Sequence, residues 1–154
     1  MTSKTLSLQS MEGLMRILLI AVVFVWCGLV LGISFVATPL KFMAPNMTLE
    51  LGLGIGQLVF DALNKIEIFF AIVVILSLWI LRPKQIPSIA LVLVVGIVLF
   101  QTFFLLPVLG HRLALILSGS PPPESYYHMI YMIVEIVKVT SLIVGGVLFT
   151  RDQL

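Results

Sequence analysis

A chain of 154 residues that is 60% hydrophobic and 10% charged is not a soluble globular domain, where about a quarter of the residues are charged. It is not a disordered chain either, since that needs few apolar residues and much charge. A net charge of +2 is too small to argue for nucleic acid, and one cysteine, Cys27, excludes an internal disulfide framework and any paired-cysteine motif. What is left is a single membrane-embedded domain with a mean hydropathy of +1.21.

Four apolar segments stand out, at about residues 15–38, 59–81, 86–109 and 126–149. Each is close to the ~20 residues that cross a bilayer as a helix. Strict apolar–polar alternation is absent, which argues against a barrel, and backbone groups in hydrocarbon must then be paired inside helices. The predicted fold is an all-α integral membrane four-helix bundle.

The first segment follows Lys4 and Arg16. It is read as a retained helix, because its apolar run exceeds the ~7–15 residues of a signal-peptide core and no small-x-small cleavage site stands out. The first loop holds Pro39 and Pro45, and Thr48 reads as an N-cap with Glu50 in the first turn. A helix from Thr48 to Leu81 would be about 50 Å long at ~1.5 Å per residue, more than a ~30 Å hydrocarbon core. The expectation is therefore a short amphipathic helix that turns into the second span. Arg82-Pro83-Lys84-Gln85-Ile86-Pro87 reads as a tight connection to the third span, and Ser118-Gly119-Ser120-Pro121-Pro122-Pro123 as a breaker-rich linker to the fourth.

Lys4, Arg16, Arg82, Lys84 and Arg151 lie on one side of this topology, against Lys41 and Arg112 on the other. The excess places both termini in the cytoplasm of a cell or inner membrane.

Ionisable residues inside a bilayer cost ~2.5–3.5 kcal/mol each and need partners. Here they gather toward the outer ends of the spans. The second span enters with Asp61, Asn64, Lys65 and Glu67, and the fourth with His128, Tyr131, Glu135 and Lys138. The third approaches with Gln101, Thr102, His111 and Arg112, and the first ends in Ser34, Thr38 and Lys41. On the fourth span Glu124, His128, Tyr131, Glu135 and Lys138 share one helical face. Glu135 and Lys138 are spaced to pair, and Glu67 is at a depth to reach Lys138. The asymmetry points to an outward-facing polar pocket, with Lys41, Glu67, Arg112, His128, Glu135 and Lys138 as candidate ligand-binding residues. Interhelical salt bridges that fix the packing are an equally weighted reading of the buried charges. Lys41, His111 and Arg112 suit a lipid phosphate or ordinary snorkelling at helix ends.

No metal ligand set with a recognised spacing is present, no cofactor is implied, and no catalytic residue can be named. Gly28 with Gly32, and Gly52 with Gly56, form small-residue faces for close helix approach within the chain or across a dimer.

Several stretches carry a resemblance. Phe35-Val36-Ala37-Thr38-Pro39-Leu40-Lys41-Phe42 closes the first span, followed by Gly54-Ile55-Gly56-Gln57-Leu58-Val59-Phe60 and Ala62-Leu63-Asn64. Leu106-Pro107 ends the third, and Tyr126-Tyr127-His128 opens the fourth. In this the chain resembles the small four-helix membrane proteins related to transmembrane protein 205. The resemblance implies architecture and not chemistry; Lys41, Glu135 and Lys138 depart from the general pattern. Three functions are compatible with these readings: a membrane protein that binds or transports a small ligand or ion, a structural or accessory subunit of a larger membrane complex or homo-oligomer, and a lipid-modifying enzyme.

Overall fold

The computed structural model describes residues 3–83, 85–120 and 122–151. Lys84, Pro121 and the side chain of Lys4 lie outside the described residues. Among the described residues, four helical spans are long and apolar enough to cross a membrane. The first consists of α1 (Ser3–Val30), a π-helical stretch (Leu31–Ala37) and α2 (Thr38–Lys41). The second is α3 (Leu49–Leu81). The third consists of α4 (Gln85–Phe100), a second π-helical stretch (Gln101–Leu105) and α5 (Leu106–Leu117), and the fourth is α6 (Tyr127–Arg151).

Two spans run past the prolines expected to end them. Pro39 and Pro107 each follow a π-helical stretch by two residues and take the first turn of the next helix. A proline ring collides with the carbonyl four residues back in a regular helix. The π turn relieves this by switching to bonds five residues back: Thr38 N–H reaches the Ile33 carbonyl and Leu106 N–H reaches the Gln101 carbonyl. The helices then continue as far as Lys41 and Leu117.

The expected short amphipathic helix is not a separate element. α3 is one helix of 33 residues. Thr48 caps its start, accepting the Leu51 N–H at 3.2 Å, and Arg82 ends it in the left-handed conformation at φ 43°. Gly52 and Gly56 admit the end of the first span. A Cβ on Gly52 would collide with the Phe42 ring, and one on Gly56 with Lys41 Nζ. The first turns of α3 are thus packed against α2 and α5.

The spans form a ring in which α1 packs on α3, α3 on α4, α4 on α6 and α6 on α1. α6 lies closest: a Cβ on Gly145 would stand 2.9 Å from Leu91 Cδ2, and one on Gly146 3.0 Å from Val23 Cγ1. A Cβ on Gly28 or Gly32, by contrast, would meet nothing within 4 Å among the described residues, and both lie open on the outside of the first span.

The main apolar core joins Leu19, Val23, Trp26 and Val30 to Val74, Leu91, Val98, Leu142 and Phe149. A smaller cluster of Phe60, Leu105, Leu106 and Tyr131 caps it toward the interhelical loops 42–48 and 118–126. The outside is as apolar as the inside: Phe103 is 76% exposed, Trp79 72% and Phe69 60%. Soluble monomers do not carry apolar surface on this scale. The protein is embedded in a membrane, and its exterior is matched to acyl chains.

Candidate functional site

Buried polar side chains from all four spans meet at one point. Lys138 Nζ lies 2.5 Å from Glu67 Oε1 and 2.7 Å from Glu135 Oε1. It donates its third hydrogen bond to Gln101 Oε1 at 2.7 Å. An ammonium has three N–H donors, and each has an acceptor here. Glu135 in turn accepts from Ser34 Oγ at 3.0 Å and from Gln101 Nε2 at 2.6 Å. Glu67 Oε1 accepts the Trp26 indole N–H at 2.9 Å. The Tyr131 phenol lies against Glu135. Glu67, Gln101, Glu135 and Lys138 are all at most 1% exposed.

Both π-helical stretches serve this cluster. Ser34 lies within the first and Gln101 opens the second, and both donate to Glu135. A π turn shifts the phase of a helix and is often found at functional sites. Here the two turns bring the polar residues of otherwise apolar spans to the bundle axis.

A second polar layer lies toward the interhelical loops. Asn64 donates to Thr102 Oγ1 at 3.0 Å, while Thr102 donates back to the Val98 carbonyl at 2.8 Å. Gln57 donates to Asp61 at 2.9 Å.

At this end the spans diverge around a cavity of about 330 Å³. Thr38, Lys41 and Phe42 contribute from the first span, Leu49, Leu53, Gln57 and Phe60 from the second, Leu109 and Leu113 from the third, and His128 from the fourth. Lys41 Nζ sits 5.0 Å from the centre of the Phe42 ring and 5.8 Å from that of Phe60. Such contacts supply roughly 0.5–1 kcal/mol each at exposed sites. Among the described residues no carboxylate lies within ion-pairing distance of Lys41. A second, more open cavity of about 390 Å³, lined by Asp61, Asn64, Lys65, Thr102 and His111, shares Gln57 and Leu106 with the first.

The six residues expected to form one pocket are therefore divided. Glu67, Glu135 and Lys138 come together in the sealed cluster. Lys41 and His128 line the first cavity. Arg112 belongs to neither; it donates to the Pro123 carbonyl at 2.5 Å and pins the linker before α6. Neither cavity is lined by Glu67, Glu135 or Lys138. One path joins the two groups: Lys41 faces the Phe60 ring, Phe60 packs on Tyr131 with centroids 5.0 Å apart, and Tyr131 lies on Glu135. The role of Trp26 was missed in the sequence. Its signal was present, because a buried indole N–H requires an acceptor.

Among the described residues no group of three His, Cys, Asp or Glu side chains is placed to hold a metal ion. No protein-family model matches the chain, no curated protein matches it, and no solved structure matches its fold.

Proposed function

We propose that the protein binds a small ligand within the membrane, in the cavity beneath Lys41, and that the Glu67–Lys138–Glu135 cluster holds the four spans in the arrangement that forms this cavity. One observation carries the reading: a lysine at the wall of a largely apolar cavity faces two aromatic rings and no carboxylate among the described residues. Ligand sites are typically apolar clefts with a few convergent polar groups, and Thr38, Gln57 and His128 supply those. The cluster is read as a lock because every donor of Lys138 is used and neither of the two cavities described above is lined by it. The Lys and Arg distribution supports cytoplasmic termini, which turns the cavity to the opposite face. The likeness to the transmembrane protein 205 relatives is proposed on the same terms and carries architecture only.

The test is native mass measurement of the full chain, extracted gently from the membrane that makes it. One small-molecule adduct per chain is expected, and it should vanish in Leu53→Trp, which fills the cavity, while the melting temperature holds. An adduct-free wild type, or an adduct that survives Leu53→Trp, overturns the reading.

A second reading rests on the open faces of Gly28 and Gly32. Small residues let transmembrane helices approach closely, so the outside of the first span fits a second copy of the chain. Mass measurement in the same detergent separates a dimer from a monomer.

A further inference from the structure

We infer that the ligand of the Lys41 cavity is a single-chain amphiphile with one anionic head: a monocarboxylate or monophosphate on an apolar tail of about ten atoms. The inference rests on the cavity being the binding site and adds the class of molecule. Charge comes first. Lys41 is the cationic side chain at the cavity wall, and Arg112 is committed to the Pro123 carbonyl. A cationic ligand meets repulsion there, and a neutral one leaves the ammonium without a counter-charge. A single anion pairs with it; at the same wall Gln57, which gives one amide N–H to Asp61, keeps its second, and His128 lies alongside, while the Thr38 hydroxyl is spent on the Ile33 carbonyl at 2.9 Å.

Size comes second. A volume of about 330 Å³, set against the ~30 Å³ that one water takes in the liquid, holds on the order of ten heavy atoms. The walls therefore embrace about one medium-length chain. Shape comes third. Leu49, Leu53, Leu109 and Leu113 form an apolar wall, so the head lies at Lys41 and the tail runs between α3 and α5. The exterior of the bundle is matched to acyl chains, so such a molecule reaches the cavity from the bilayer itself.

The experiment is a native mass titration of the full chain in maltoside micelles with decanoate, decyl phosphate and decanol. The wild type should bind decanoate or decyl phosphate about tenfold or more tighter than decanol, the ratio that one charge-assisted hydrogen bond supplies. Lys41→Met should erase that preference, leaving the three affinities alike, and Leu53→Trp should abolish all binding. The stronger of the two anions identifies the head, and either one supports the inference. Decanol bound as tightly as both anions by the wild type, with Leu53→Trp still abolishing it, overturns the anionic class while the cavity stands as the site. No binding of any of the three, or binding unchanged in Leu53→Trp, overturns both.

Discussion

Lys138 reaches across the diagonal of the bundle to Glu67, from the fourth span to the second, with 2.5 Å between Nζ and Oε1. These two helices are not neighbours in the ring of packed pairs, which runs α1, α3, α4, α6. The ion pair therefore does what backbone packing does not: it ties opposite corners. Trp26, Ser34 and Gln101 close the remaining sides with hydrogen bonds. In an apolar medium helix association gains nothing from hiding oily surface, so polar contacts and close packing carry it.

Removing Lys138 should therefore be far more damaging than removing the whole cluster. Lys138→Met leaves two carboxylates facing each other without water and should cost about 3–5 kcal/mol, as breaking buried pairs does. The triple variant Glu67→Gln, Lys138→Met, Glu135→Gln leaves no uncompensated charge and should recover most of that loss. Unfolding of the three proteins in one detergent gives the comparison. A Lys138→Met protein as stable as the wild type would show that the cluster does not lock the bundle.

The two tryptophans should report opposite environments. Trp26 is buried on Glu67, whereas Trp79 is 72% exposed on the outside of α3. In vesicles of brominated lipid, the Trp26→Phe protein, whose fluorescence comes from Trp79, should be strongly quenched. The Trp79→Phe protein should be quenched little. Equal quenching would contradict the inside and outside of the bundle described here.

Much of the architecture was legible because membrane spans are written in composition. The face of α6 that carries Tyr131, Glu135 and Lys138 follows from helical spacing, and the Glu135–Lys138 pair from their separation by three. Two features were hidden. A proline at 39 or 107 reads as a helix end, because the π turn that accommodates it has no distinctive sequence. The division of the expected pocket was hidden too. Depth along a span places Lys41 and Glu67 near one another, but only packing shows Phe60 and Tyr131 standing between them. Likewise Gly145 and Gly146, which set the tightest contacts of α6, form no spaced pair.

Ser77 offers a stabilising change. Its hydroxyl is buried in α3 with no hydrogen-bond partner among the described residues. An unpaired buried polar group costs about 1–3 kcal/mol, so Ser77→Ala should raise stability by about 1 kcal/mol. A loss of stability in the same unfolding measurement would mean that the hydroxyl has a partner, such as a bound water.

Gly145 and Gly28 should respond oppositely to the same change. Gly145→Leu must displace Leu91 and Ala90, which would stand 2.9 Å and 3.4 Å from the new Cβ, and α6 would be forced off α4. Overpacking of this kind costs about 1–3 kcal/mol or more, and strain at this seam should also loosen the cluster that α6 carries. Gly28→Leu meets nothing within 4 Å and should leave the melting temperature of the monomer unchanged. If two copies associate through the first span, Gly28→Leu should still split them, because a side chain there keeps the helices apart. Mass measurement beside a melting curve separates the effects: Gly145→Leu lowers the melt at any oligomeric state, while Gly28→Leu changes mass alone. A Gly28→Leu protein that melts early as a monomer would show that this face is packed within the chain.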